Sequence, residues 1–168
     1  DAGICGNSIP ASEHSTITSW GREHETDAYE NMIDRYKNGL MACVSDSYDI
    51  MAACDVWGTT LKTKIIGRNG VFICRPDSGK PEVIVPQVIE RLGSHFGLTP
   101  NSKGYLELHP KVRVIQGDGC NLESIEAILA AMEARKLSAN NIAFGMGGGL
   151  LQQVNRDTQR FAFKCSAI

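Results

Sequence analysis

The sequence predicts an α/β fold with a parallel sheet of about five strands, because short apolar runs alternate with amphipathic segments of helical period. The runs are nearly continuous in apolar residues, as in strands covered on both faces. Each of the first four is followed by a polar, turn-forming cluster. In α/β folds the carboxyl ends of the strands are where sites are built.

Strands are expected at Leu40–Val44, Val71–Cys74, Val112–Gln116, Ile142–Gly145 and Phe161–Ser166. Between the first ones lie helical stretches. In Thr26–Lys37 the residues Tyr29, Met32, Ile33 and Tyr36 share one face, with Gly39 placed to stop the helix. Ser47–Ile66 and Glu82–Phe96 are less regular, and Pro86 is expected in the first turn of the latter. In Leu122–Lys136 the face is Ile125, Ile128, Leu129 and Met132, with Asn121 as N-cap and Glu123 in the first turn. A strand spacing of roughly 30 to 40 residues suits either a doubly wound sheet or a barrel. Since a closed eight-unit barrel takes about 250 residues, a barrel of this length is an incomplete one.

The chain has 168 residues, 42% hydrophobic and 21% charged, the balance of an ordinary globular domain. One domain over residues 1–168 is the expectation. A formal net charge of -2, with 17 Lys and Arg scattered along the chain, points away from nucleic acid and anionic membranes. No stretch reaches the roughly 18 apolar residues of a membrane span. The six cysteines form no C-x-x-C pair, and four lie in apolar or strand-like segments. The expectation is a reduced, cytoplasmic setting without a zinc site. The chain starts at Asp1 without Met and stops within Arg-Phe-Ala-Phe-Lys-Cys-Ser-Ala-Ile168, so a fragment of a larger protein is expected.

The polar clusters are Ser45–Asp49, Arg75–Gly79, Gly117–Gly119 and Gly145–Gly149. Turns also use Gly, Asp and Ser, but four clusters on one face of a sheet mark a site. Gly147, Gly148 and Gly149 suit an anion, since backbone N–H groups can ring a phosphate there, and Arg156 can clamp it. Asp77 and Asp118 end separate strands and suit a ribose diol or Mg²⁺, or equally a capped turn. Arg75 leaves an apolar strand and needs a partner, either a carboxylate or a ligand. His14 lies in the polar segment Pro10–Gly21, with Glu13 beside it and Asp49 available from the next strand end. An imidazole whose tautomer is held by a carboxylate is a good nucleophile, while a lone histidine is more often structural. His24, His95 and His109 take the structural reading.

Together these motifs resemble the nicotinate/nicotinamide phosphoribosyltransferase family. The resemblance rests on Pro10–Gly21, Val44–Ile50, Arg75–Gly79, Asn101–Tyr105, Val114–Gly119, Ile142–Gln152, Arg156-Asp157 and Phe163–Ser166, in order along the whole chain. The wording Glu-His-Ser-Thr and Arg-Pro-Asp-Ser-Gly is more like the nicotinamide branch. The resemblance implies an incomplete (β/α) barrel of the type II phosphoribosyltransferase kind. It implies transfer of 5-phosphoribosyl from phosphoribosyl pyrophosphate to nicotinamide, yielding nicotinamide mononucleotide and pyrophosphate in NAD salvage, with Mg²⁺ and ATP as cofactors. By the same resemblance His14 takes phosphate from ATP, supported by Glu13 and Asp49. Ser45 and Arg75 lie at the nicotinamide. Asp77, Gly117 and Asp118 meet ribose or diphosphate, and Gly147, Gly148 and Arg156 hold the 5′-phosphate. No metal is bound by protein ligands alone. Met146 departs from the small polar residue usual in the family. The family's stacking aromatic and carboxamide-reading aspartate fall upstream of Asp1, and a homodimer completes each site in the family. The alternatives are a nicotinate-specific enzyme and a non-catalytic nucleotide or sugar-phosphate binding fragment. A phosphate-binding aldolase would need a Schiff-base lysine at a strand end, and none stands out.

Overall fold

A computed structural model describes residues 8–147 together with 157, 160 and 164. In chain order the elements are α1 (His14–Thr18), α2 (Glu25–Arg35), β1 (Asn38–Val44), α3 (Ile50–Gly58), α4 (Lys62–Gly67), β2 (Asn69–Arg75) and α5 (Pro81–Phe96). A short hairpin β3 (Leu98–Pro100) and β4 (Leu106–Leu108) precedes β5 (Val112–Gln116), α6 (Leu122–Ala134) and β6 (Ile142–Phe144).

The main sheet has four strands in the order β1-β2-β5-β6, all parallel. Each new strand joins the same edge, with no reversal of order. A doubly wound sheet would reverse, so the arrangement is an arc of a barrel. β1 and β2 pair without a break from Asn38 opposite Asn69 to Val44 opposite Arg75. Gly39 faces Gly70 in this ladder, and a Cβ on Gly70 would collide with the carbonyl oxygen of Gly39 and stand 2.6 Å from its nitrogen. Beyond β1, Ala11 makes a parallel bridge to Ala42, with Ser12 N–H donating to Ala42 O at 3.2 Å and Ala42 N–H to Pro10 O at 2.9 Å. Pro10 itself has no N–H to donate to that ladder.

The apolar runs form strands because both faces are covered: Met41–Val44 and Phe72–Cys74 are buried throughout. Trp57 of α3 lies between Tyr29 of α2 and Phe72 of β2, with ring centroids 4.3 Å away on each side. All three rings are fully buried, where each contributes a large apolar area.

Several expectations are corrected in detail. Ser47–Ile66 divides into α3 and α4. Pro81, not Pro86, takes the first turn of α5, and Pro86 is buried inside the helix, where it removes the bond to the carbonyl of Glu82. Gly39 does not stop α2, which ends at Arg35; Gly39 has φ 72° within β1. The hairpin β3–β4 was not expected, and Asn101 organises its loop by accepting from Lys103 N and Tyr105 N at 3.0 Å each. Asn121 caps α6 as expected, in a reciprocal box with Ser124 (2.8 and 2.9 Å). The strand expected at Phe161–Ser166 lies outside the described residues apart from Lys164, as do Gly148, Gly149 and Arg156. No described helix is long and apolar enough to cross a membrane.

Candidate active site

His14 begins α1 directly after the Pro10–Ser12 segment, so it too stands at the carboxyl end of a strand-like stretch beside β1. Its Nε2 is 3.0 Å from Asp46 Oδ1, and its Nδ1 is 3.8 Å from Asp77 Oδ2. The ring is held between a carboxylate from the end of β1 and one from the end of β2. The His14 side chain keeps 35% of its surface exposed while that of Asp46 keeps 6%, so the imidazole faces solvent and its partner lies behind it.

Asp46 is fixed from the other side as well. Its Oδ2 accepts from the backbone N–H groups of Asp77 at 2.9 Å and Ser78 at 2.5 Å. Burial raises the pKa of this carboxyl, but the bonds from Ser78, Asp77 and His14 outweigh it and hold the group below its usual range. Asp46 therefore stays ionised and accepting.

Arg75 finds the carboxylate that its position demanded. It forms a fork on Asp77, Nε to Oδ1 at 3.1 Å and Nη2 to Oδ2 at 2.8 Å, and donates from Nη1 to Ser12 O at 3.2 Å. Glu13 Oε1 is 3.6 Å from Nη1. Burial opposes the charge on Arg75, yet Asp77 and Glu13 together raise its pKa. Glu13 also accepts from Lys164 Nζ at 2.7 Å, the largest of the influences that hold its carboxyl below the usual range.

The expected residues separate on this geometry. His14, Glu13, Arg75 and Asp77 come together, and Gly117 joins them, since a Cβ there would stand 4.0 Å from Arg75 Nε. Gly145 N–H donates to Gln116 O at 2.8 Å, which brings the glycine segment alongside the β5 end. Asp118 is exposed; burial, and after it the charges of Asp118 and Asp77, push the Cys120 thiol up. Gly147 is exposed with open space on its Cβ side. Asp49 is elsewhere: its carboxylate caps α3 by accepting from Met51 N at 2.9 Å and Ala52 N at 3.0 Å. The carboxylate that meets His14 is Asp46, which sequence reasoning passed over. Ser45 is fully buried beside Arg75, its N–H donating to Arg75 O at 2.9 Å. The other histidines engage other partners: His24 meets Asp27, His95 of α5 meets Asp55 of α3, and His109 accepts from Lys111 N.

No group of three or more His, Cys, Asp or Glu among the described residues is arranged to hold a metal ion. Asp118 is an exposed carboxylate just past the end of β5. Mg²⁺ is typically held by one or two carboxylates plus substrate phosphates, and such an arrangement fits it.

The family model described as "Nicotinate phosphoribosyltransferase (NAPRTase) family" matches residues 2–168. A protein of Xanthomonas campestris named nicotinamide phosphoribosyltransferase is 54% identical over 168 residues, covering 98% of this chain and 36% of that protein. Proteins of the same name from Mycoplasma pneumoniae and Acinetobacter baylyi are 36% and 31% identical, over 99% and 98% of this chain. The chain thus spans between 36% and 40% of the length of these curated relatives. With the ordered motifs at the strand ends, these matches establish that the chain belongs to the nicotinate phosphoribosyltransferase family.

Proposed function

We propose that the complete protein transfers 5-phosphoribosyl from phosphoribosyl pyrophosphate to the pyridine nitrogen of nicotinamide, coupled to ATP through a phosphohistidine at His14. The products are nicotinamide mononucleotide and pyrophosphate, a step of NAD salvage. The observation that carries the histidine assignment is the bond from His14 Nε2 to an ionised Asp46. With the proton on Nε2 donated to Asp46, the lone pair sits on Nδ1. That nitrogen attacks the γ-phosphorus of ATP, the bond to the bridging oxygen breaks, and ADP leaves. Asp46 then stabilises the phosphorylated ring through the same Nε2 proton.

In the glycosyl step the pyridine nitrogen forms a bond to C1 of the ribose as the bond to diphosphate breaks. Positive charge develops on the sugar and negative charge on the leaving group, which opposed groups at the strand ends stabilise. Three of the five N–H donors of Arg75 are engaged by Asp77 and Ser12 O, and its planar face would stack on the nicotinamide ring. Mg²⁺, held at Asp118, would neutralise charge on the diphosphate. Gly147, with Gly148 and Arg156, would hold the 5′-phosphate. A second subunit of a cytoplasmic homodimer would complete each site.

The names of the relatives favour nicotinamide over nicotinate. The test is an assay of the complete protein with each base, phosphoribosyl pyrophosphate and Mg²⁺, with and without ATP. Nicotinamide mononucleotide formation stimulated by ATP, and loss of that stimulation in His14→Ala, is the expected result. Preference for nicotinate would overturn the substrate, and ATP stimulation retained in His14→Ala would overturn the histidine assignment. Failure to make either mononucleotide would favour a non-catalytic binding protein.

A further inference from the structure

We infer that Ser45 is a positioning residue for the reaction, acting through its bond with Trp57 to fix the strand end that presents Asp46 to His14. This rests on the reading of His14 as the phosphoryl acceptor.

Successive residues along a strand point to opposite sides. Asp46 turns toward His14, and Ser45, one residue earlier, turns into the core. Its hydroxyl donates to Cys43 O at 2.9 Å and accepts from Trp57 Nε1 at 3.0 Å. Ser45 has no exposed surface, so its side chain has no face left for a ligand. Trp57 cannot turn its donor elsewhere, because Tyr29 and Phe72 pack its ring at 4.3 Å on both sides. The backbone N–H of Ser45 donates to Arg75 O at 2.9 Å, one step past the last β1–β2 pair, Val44 opposite Arg75.

Three elements therefore meet at this residue: β1 through Cys43, β2 through Arg75 and α3 through Trp57. The next peptide carries Asp46, whose two oxygens must reach His14 on one side and the N–H groups of Asp77 and Ser78 on the other. Without the Ser45 hydroxyl, the Trp57 N–H is left buried without a partner, a penalty relieved by shifting the β1 end or the ring. A shift of the β1 end moves Asp46. In this arrangement Ser45 tunes the histidine without touching the nicotinamide.

The experiment compares wild type, Ser45→Ala and Trp57→Phe in the complete protein. Trp57→Phe keeps an aromatic ring in the stack and removes only the donor group and part of the ring. Three quantities are read: the rate of phosphate transfer from ATP to His14, the KM for nicotinamide, and the ¹⁵N spectrum of the His14 imidazole without nucleotide. Both variants are expected to slow phosphorylation about ten-fold, the worth of one buried hydrogen bond. The KM should stay within about two-fold, since no substrate contact is lost. Wild type is expected to show a single Nε2-protonated tautomer, and the spectra of both variants should lose it. A ten-fold rise in KM in Ser45→Ala with Trp57→Phe silent would show a direct substrate contact and overturn the inference. Unchanged phosphorylation and spectra in both variants would also overturn it. If wild type accepts no phosphate from ATP, the phosphohistidine reading fails while the spectra still decide the positioning role. Should Ser45→Ala not fold, Trp57→Phe carries the comparison.

Discussion

Replacing Asp46 by Asn keeps the shape of the side chain and inverts the proton placement on His14. In the native arrangement Oδ1 faces His14 Nε2 at 3.0 Å, and Oδ2 faces the N–H groups of Asp77 at 2.9 Å and Ser78 at 2.5 Å. An amide has one oxygen and one NH₂ group. The two backbone donors claim the oxygen, which turns the NH₂ toward His14, so Nε2 must accept and the ring proton moves to Nδ1. That nitrogen then has no lone pair to attack ATP. In a Ser-His-Asp triad the same Asp-to-Asn exchange lowers turnover by on the order of 10⁴, through the wrong tautomer. A loss of about 10³ or more in the rate of His14 phosphorylation is expected here. The fold should survive, because the backbone bonds are kept. Exchanging charge-assisted for neutral bonds costs about 1–2 kcal/mol. The assay is uptake of radiolabelled phosphate from ATP by the complete protein, with circular dichroism melts of the same samples. An Asp46→Asn protein that folds and takes up phosphate within about three-fold of wild type would refute the reasoning.

Other perturbations probe the frame that carries the site. Gly70→Ala drives a Cβ into the Gly39 carbonyl, and urea unfolding should show a loss of about 3 kcal/mol or an insoluble protein. Asn121→Ala removes the acceptor for Ser124 N–H at the start of α6, and calorimetry should show about 1 kcal/mol of destabilisation, restored by Asn121→Asp. Acid should weaken the site through Asp46. Its folded carboxyl lies below the ordinary value of 3.8, so the unfolded chain takes up the proton first as pH falls. The stability it supplies is full above that value and is lost as pH drops through the folded one. Urea midpoints at about pH 5 and about pH 3 should therefore differ less in Asp46→Asn than in wild type.

Much of the frame was legible because continuous apolar runs have few alternatives. β5 has the bounds its apolar pattern indicated, and the polar clusters do lie at strand ends on one side of the sheet. The barrel arc was not readable from spacing, since strand order depends on contacts distant in sequence. The hairpin β3–β4 escaped because strands of three residues are too short to show alternation. Asp46 and Asp49 differ by three positions in Ser45-Asp-Ser-Tyr-Asp49. Which one meets His14 depends on where β1 stops and α3 starts. The preference for Asp before a helical run was the available signal, and it assigns Asp49 to the cap. Pro81 and Pro86 pose the same kind of choice, which the tolerance of Pro at the first helical position resolves. The segment Pro10–Ser12 shows no strand pattern of its own, and only its bridge to Ala42 reveals that His14 obeys the same strand-end rule as the other clusters.

The most direct test of the account is to incubate the complete protein with ATP and locate the phosphate, by mass spectrometry of the peptide containing His14 and by ³¹P–¹⁵N correlation on labelled protein. One phosphate on His14 is expected, bonded to Nδ1, with the Nε2 proton still donated to Asp46. Phosphate bonded to Nε2, or a phosphorylated protein whose His14 carries none, would contradict it.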